Sequence, residues 1–281
     1  MGLRTMMKRG LQFVLSGTPQ IKVSASVYQL EAAHRLRGKN VIVTGGGSGL
    51  GFYIAKKCYN EGAMVLITGR NSQKLKNAAK EIGNKCKYLA WDMSEANAAK
   101  DFIDCAIEAL CCKKIDCLVC NAGISLHEGW IMNVSTDSFD KQFDTNLKGN
   151  YFLSKYFIAH LLQQEDPSGN IIYVSSERGL YCDDLPYGLT KASLNSLTRG
   201  LARKYVTKGI RVNAVAPGVT ASDMTGINLK DNLYRPQTCG KRVFLPEEVA
   251  EVVAFLLCDA SKCISGEVIA CDQGNYLRCD W

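Results

Sequence analysis

Tyr187 and Lys191 stand four residues apart in Tyr187-Gly188-Leu189-Thr190-Lys191. On a helix that spacing puts both side chains on one face. A phenol ionises at a pKa of about 10 and is a poor acid or base at neutral pH. A cation held within a few ångströms favours the phenolate and draws the ionisation toward neutrality. Ser176 follows an apolar run and would hydrogen-bond a substrate oxygen, steadying the charge that develops on it. Phenol, ammonium and hydroxyl together read as machinery for moving a proton on or off a substrate oxygen.

A second constellation could hold an anion. The apolar run Asn40-Val41-Ile42-Val43-Thr44 ends in Gly45-Gly46-Gly47-Ser48-Gly49-Leu50-Gly51, and a helical pattern opens at once with Leu50, Ile54, Ala55 and Cys58. Strand, tight turn and helix in that order aim backbone N–H groups and the positive end of a helix dipole at one point, where a diphosphate fits. Gly45 would make the turn, Gly49 would admit the pyrophosphate and Gly51 would let the helix close on the strand. Glycine clusters also mark ordinary loops, so the surrounding elements decide between the two readings.

Those elements alternate. Strands are expected at 39–44, 63–68, 86–90, 115–120, 170–175, 211–216 and 267–271. Helices are expected at 50–61, 72–82, 95–111, 136–164, 187–206 and 246–258. The strands are continuously apolar, as a parallel sheet covered on both faces requires. The pattern predicts an α/β fold: a single doubly wound (Rossmann) parallel sheet of about seven strands with helices on both faces. Residues 1–38 read as a basic extension and 39–281 as the folded domain, with a variable lid at about 223–245. Ligands bind such sheets at the carboxyl ends of the strands.

Composition narrows the function. The 281 residues are 47% hydrophobic and 22% charged, with a formal net charge of +7. Most of that excess sits in the extension, in Arg4, Lys8, Arg9, Lys22, Arg35, Arg37 and Lys39 against Glu31. The main domain is nearly neutral, which argues against nucleic-acid binding. No apolar run is long enough to cross a bilayer. Leu3, Met6, Met7, Leu11, Val14 and Leu15 form one helical stripe beside basic residues, so residues 1–20 could contact a membrane surface or a protein partner, or be a plain tail. A cytoplasmic location is expected, or an organelle matrix if the extension acts as a transit segment. Of the 13 cysteines, Cys117 and Cys120 form a C-x-x-C, but residues three apart on a strand point to opposite faces, so no metal site is expected there.

Further short stretches carry a resemblance. After the glycine turn come Cys120-Asn121-Ala122-Gly123, Thr145-Asn146-Leu147, Val174-Ser175-Ser176-Glu177-Arg178-Gly179, the Tyr187–Lys191 stretch, and Arg211-Val212-Asn213-Ala214-Val215-Ala216-Pro217-Gly218. In that order they resemble the motifs of the short-chain dehydrogenase/reductase family over residues 38–276, most closely those of its 3-oxoacyl-carrier-protein reductases. The resemblance implies a catalytic set of Asn146, Ser176, Tyr187 and Lys191, with Asn146 holding a water that links Lys191 to solvent. It implies cofactor contacts from Gly45, Ser48, Gly49, Leu50 and Gly51, from Asn121, Ala122 and Gly123, and from Pro217, Gly218 and Ser222, with Tyr187 and Lys191 shared. Asp92 resembles the acid that contacts the adenine amino group. Cys120 replaces the first Asn of the family's N-N-A-G. Only ten residues separate Ser176 from Tyr187, where the family commonly has about twelve; taking Ser175 lessens the discrepancy but misplaces Gly179, so Ser176 is preferred.

Cofactor choice turns on the end of the second strand, Ile67-Thr68-Gly69-Arg70-Asn71. Gly69 stands where NAD enzymes place an acid, and Arg70 offers a planar fork for a 2′-phosphate. NADP is expected, with NAD as the alternative. The expected activity is hydride transfer between a carbonyl and a secondary alcohol on a small-molecule substrate, in a homodimer or homotetramer. In the lid, Arg235, Lys241 and Arg242 could meet an acidic carrier. Other readings are a sugar or polyol dehydrogenase using NAD, or a catalytically silent dinucleotide-binding regulator or scaffold.

Overall fold

The computed structural model describes residues 21–24 and 34–277. The apolar runs become strands β1 (Asn40–Thr44), β2 (Met64–Gly69), β3 (Cys86–Ala90), β4 (Cys117–Cys120), β5 (Gly169–Val174), β6 (Ile210–Pro217) and β7 (Val268–Cys271). The helical periods become α1 (Gly49–Asn60), α2 (Ser72–Ile82), α3 (Ala99–Leu110), α4 (Thr136–Phe143), α5 (Gly149–Leu162), α6 (Pro186–Tyr205) and α7 (Pro246–Leu257). All strands run parallel in the order β3-β2-β1-β4-β5-β6-β7. The order reverses between β1 and β4, which opens a crevice at the strands' carboxyl ends. Every residue of β4 and β6 is buried, because helices cover both faces. Among the described residues no helix is long and apolar enough to cross a membrane.

The sheet separates two cores. Val41, Val43, Cys117 and Val119 pack on one face, and Ile42, Leu118 and Cys120 on the other. The two cysteines of the C-x-x-C thus point apart, as the strand period dictates. Burial pushes both thiols up to about 12, and the described cysteines are all free. The Arg211-Val212-Asn213 stretch has a structural use. The buried Arg211 guanidinium donates to the carbonyls of Leu256, Cys258, Ser261 and Ile264, tying the end of α7 to β6.

Three features differ from the pattern read in the sequence. The long helix expected at 136–164 is broken by a wide π turn at Asp144–Lys148. Just beyond it, a Cβ on Gly149 would overlap the Met93 carbonyl, so the backbones touch there. The packed body also takes in residues before Lys39, since Leu36 is fully buried. Arg35 reaches Glu61 at 2.5 Å, Lys57 reaches the same carboxylate at 3.0 Å and Glu251 at 2.6 Å. The Glu61 side chain has no exposed surface, so this cluster welds the segment before β1 to α1 and α7. Finally, residues 21–24 lie along the lid, with Val23 N–H donating to Asn232 Oδ1 and Leu233 N–H to the Val23 carbonyl. The amphipathic helix expected over residues 1–20 lies outside the described residues.

His160, in the last turn of α5, is 7% exposed, and its Nε2 accepts the Ile115 N–H ahead of β4. Burial lowers its pKa from 6.5. The folded form therefore holds this proton less tightly than the unfolded chain. Its stabilising effect is complete above about pH 6.5 and is lost as pH falls through the folded value. The melting temperature should drop between pH 7.5 and 5.5, and His160→Gln should flatten that drop; equal drops in both proteins would refute the assignment.

Candidate active site

A cleft of about 750 Å³ runs along the carboxyl ends of β1, β2, β4, β5 and β6, across the crevice where the strand order reverses. One end is the glycine turn. Gly45 and Gly49 hold left-handed backbone angles of +67° and +54°, which a residue with a side chain rarely adopts. A Cβ on Gly51 would overlap the Gly45 carbonyl and the Asn121 side chain, so only glycine lets α1 approach so closely. Ser48 is the N-cap of α1 but makes no side-chain cap bond, leaving first-turn N–H groups of the helix facing the cleft. Thr44, quoted in the motif without a task, proves to be a linchpin. Its hydroxyl accepts the N–H groups of Asn121 and Ala122 at 3.0 and 2.9 Å, joining the glycine turn to the loop after β4.

The opposite side of that end carries the basic groups. Gly69 closes β2, and Arg70, Asn71 and Lys74 line the cleft beside Asp92. Asp92 is partly engaged, accepting the N–H and hydroxyl of Ser94. Lys74 was not singled out in the sequence, where it looks like an ordinary surface lysine. It pairs with Asp223 of the lid at 3.0 Å. The hydrogen bond and charge of Lys74, with a further bond from Ser48, hold the Asp223 carboxyl below the usual carboxylate range. Ser222, Pro217 and Gly218 line the same wall, and the Ser222 hydroxyl lies within hydrogen-bond reach of Thr225.

The other end gathers Ser176, Tyr187 and Lys191. Ser175 and Ser176 part company: the Ser175 hydroxyl donates to the Lys191 carbonyl and braces α6, whereas the Ser176 hydroxyl accepts the main-chain N–H of Arg178 and acts on the Tyr187 phenol, favouring its ionised form. Lys191 is 4% exposed. Its Nζ donates to the Val174 carbonyl at 2.8 Å and sits 5.6 Å from the Tyr187 ring centre. Asn146 lies in the π turn, fully buried. Its Oδ1 accepts the Ile124 N–H, while its Nδ2 donates to the Ile124 carbonyl and to Thr190. Its main-chain carbonyl accepts from Asn150 at 2.7 Å. A Cβ on Gly123 would stand 3.2 Å from Asn146 Oδ1 and 3.4 Å from Lys191 Nζ, so the three converge.

The electrostatics differ from what the Tyr–Lys spacing alone predicts. Burial raises the Tyr187 phenol above its usual 10, while the Ser176 hydrogen bond and the Arg178 charge pull it down. Burial also lowers Lys191 to about 8. The ammonium is turned toward the Val174 carbonyl rather than the phenol oxygen, and desolvation disfavours both charged forms. Tyr187 is therefore a neutral phenol across the physiological range.

The lid supplies one correction. Arg242 is not a free contact for an acidic carrier, because its guanidinium grips Glu248 in a two-pronged pair at 2.5 and 2.8 Å. Lys241 remains exposed.

The family model described as Enoyl-(Acyl carrier protein) reductase matches residues 45–275. The 3-oxoacyl-(acyl-carrier-protein) reductase FabG of Rickettsia conorii is 33% identical over 246 residues, covering 86% of this chain and 98% of that protein. This chain belongs to the short-chain dehydrogenase/reductase family. Two solved structures extend the likeness to the fold. The 3-ketoacyl-(acyl-carrier-protein) reductase of Brucella melitensis, complexed with NADH, has a TM-score of 0.79 at 28% identity, covering 86% of this chain and 99% of that one. A short-chain dehydrogenase of Burkholderia cenocepacia in complex with NADP has a TM-score of 0.77 at 29% identity, with coverages of 86% and 99%. The chain is thus an oxidoreductase of the short-chain dehydrogenase/reductase type, with the doubly wound sheet that the alternating pattern predicts.

Proposed function

We propose that this chain is an NADP-dependent reductase that interconverts a carbonyl and a secondary alcohol, with 3-oxoacyl compounds or related ketones as substrates. The observation that carries the reading is the convergence of Ser176, Tyr187 and Lys191 at one end of a cleft whose other end is a glycine turn.

The residues present fit a nicotinamide dinucleotide. The glycine turn lets α1 pack tightly on the loop after β4, and the start of that helix offers N–H groups to a pyrophosphate. Arg70 and Lys74 suit a 2′-phosphate, and no acid stands at Gly69 to pair with a free 2′-hydroxyl. Ser222 and the Pro217-Gly218 turn would border the nicotinamide, and Lys191 would bond the adjoining ribose. When bound, the cofactor supplies the hydride in reduction and accepts it in oxidation.

The chain's own groups handle the proton. Ser176 donates a hydrogen bond to the substrate oxygen and stabilises the negative charge that grows there. Tyr187, kept protonated by burial, gives its proton to that oxygen, so the carbonyl becomes an alcohol and the phenol a transient phenolate beside cationic Lys191 and Arg178. Asn146 fixes the loop at Ile124 and keeps the floor of the site in register with α6 through Thr190. Association as a homodimer or homotetramer accompanies this reading, supported by the exposed Tyr151 on α5, Leu189 on α6 and Phe255 on α7.

The test is nicotinamide absorbance followed over a panel of β-ketoesters, β-ketoacyl thioesters, simple ketones and ketoses, with NADPH and NADH. Turnover of none of them would end the reading. Arg70 gives a sharper measurement. A charge-assisted bond to a phosphate contributes about 1.5–3 kcal/mol, so Arg70→Ala should lower the NADPH-over-NADH preference in kcat/KM by about tenfold to a hundredfold. An unchanged ratio would remove Arg70 from cofactor choice.

A further inference from the structure

The loop from Ser176 to Tyr187 is closed by a pair that the motifs do not mention. Arg178 Nε donates to Asp183 Oδ2 at 2.5 Å and Nη2 to Oδ1 at 2.7 Å, a two-pronged contact with fixed geometry. The Asp183 side chain is only 5% exposed. Its Oδ1 also accepts the Leu185 N–H, next to the first turn of α6. A Cβ on residue 188 would overlap the Asp183 carboxylate, so Gly188, the residue after Tyr187, is what admits the pair. The arginine is rooted at the other end too, its N–H donating to the Ser176 hydroxyl.

Held this way, the guanidinium stands over the Tyr187 ring, with Cζ 5.7 Å from its centre, while Lys191 Nζ is 5.6 Å away. Arginine over an aromatic face is an attractive contact that restricts the ring. The two cations have different duties. Lys191 Nζ donates to the Val174 carbonyl, while the Arg178 charge pulls the phenol's ionisation down. Glu177 and Tyr181 also face this corner, and Glu177 opposes Arg178 by favouring the neutral phenol.

We propose that Arg178, anchored by Asp183 across the shortened loop, is a positioning residue for Tyr187: its guanidinium orients the phenol toward Ser176 and adds positive charge, beside that of Lys191, for the phenolate. The inference rests on Tyr187 being the proton-transfer group proposed above.

The experiment uses the full chain with ethyl acetoacetate and NADPH for reduction, and ethyl 3-hydroxybutyrate and NADP for oxidation. Arg178→Gln keeps donors for Asp183 but removes the charge, and Arg178→Lys restores the charge without the fork. Two readouts are taken: pH profiles of kcat/KM, and ultraviolet titration of tyrosinate in the ligand-free protein, as the difference from Tyr187→Phe. An opposite charge at this range shifts an ionisation by about one unit or more. Arg178→Gln should therefore move the Tyr187 titration, and the rising limb of the oxidation profile, up by about one unit. It should also cut kcat for oxidation at neutral pH by about tenfold while the cofactor KM holds, because phenolate is scarcer. Arg178→Lys should recover the titration but only part of kcat. An Arg178→Gln protein that melts like the parent, with an unmoved titration and limb, overturns the inference. Should that variant fail to fold, the titration difference between Arg178→Lys and the parent decides, and a tyrosinate shifted up by a full unit despite the retained charge also overturns it. The underlying reading fails separately, if Tyr187→Phe itself keeps turning over.

Discussion

Replacing Tyr187 by Phe is expected to lower kcat by about 10² to 10⁴ while the cofactor dissociation constant stays within about twofold, the range that one proton-transfer group contributes. The substitution removes one oxygen and leaves the ring between Arg178 and Lys191, so packing is preserved. What it deletes is the only phenol lining the described cleft. Steady-state kinetics with NADPH and a β-ketoester, alongside fluorescence titration of the cofactor, measures both quantities. A variant within tenfold of the parent in kcat would mean that the proton comes from elsewhere. Because burial keeps the parent's phenol protonated, reduction should hold its rate through neutral pH and decline only in the alkaline range.

The second large effect concerns stability. Glu61 is wholly buried between Arg35 and Lys57, and its carboxyl is held down to about 2, because the hydrogen bonds from Arg35 and Lys57 outweigh the cost of its burial. Breaking a buried pair by removing one partner costs about 3–5 kcal/mol, since the remaining charges lose their compensation. Glu61→Ala should lose stability in that range by urea denaturation, with the slope of the transition unchanged. The sign with pH follows from the depressed folded value: the contribution is complete above about pH 4.5 and vanishes as pH falls through about 2. The parent and the variant should therefore converge in strong acid. A loss under 1 kcal/mol at neutral pH would show that Glu251 alone satisfies Arg35 and Lys57.

Much of this architecture was legible because its signals are local. Parallel strands covered on both faces must be continuously apolar, and the runs at Val41–Val43 and Val65–Ile67 are so. The glycine turn announces itself because Gly45 and Gly49 hold left-handed backbone angles and a Cβ on Gly45 or Gly51 would run into Asn121. The remainder depends on partners distant in sequence. Nothing in the neighbourhood of Glu61 shows that Arg35 pairs with it, or that Glu251 shares Arg35 and Lys57 with it. Asn146 fits a helical period, and its bonds from the wide turn to Ile124 and Thr190 reach partners distant in sequence. Ser175 and Ser176 are adjacent and chemically alike, so side-chain direction, invisible in a string of letters, separates the one that braces α6 from the one that meets Tyr187. The upward shift of the Tyr187 phenol comes first from its burial, which the four-residue spacing to Lys191 leaves open.

The contact between Lys74 and Asp223 spans the mouth of the crevice from α2 to the lid, and both side chains are largely wetted. Such exposed pairs contribute about 0–1 kcal/mol and weaken as ionic strength rises. It behaves as a latch rather than a lock: an anion seeking Lys74 meets little resistance from the aspartate. Dissolved salt thereby sets how firmly that corner is fastened.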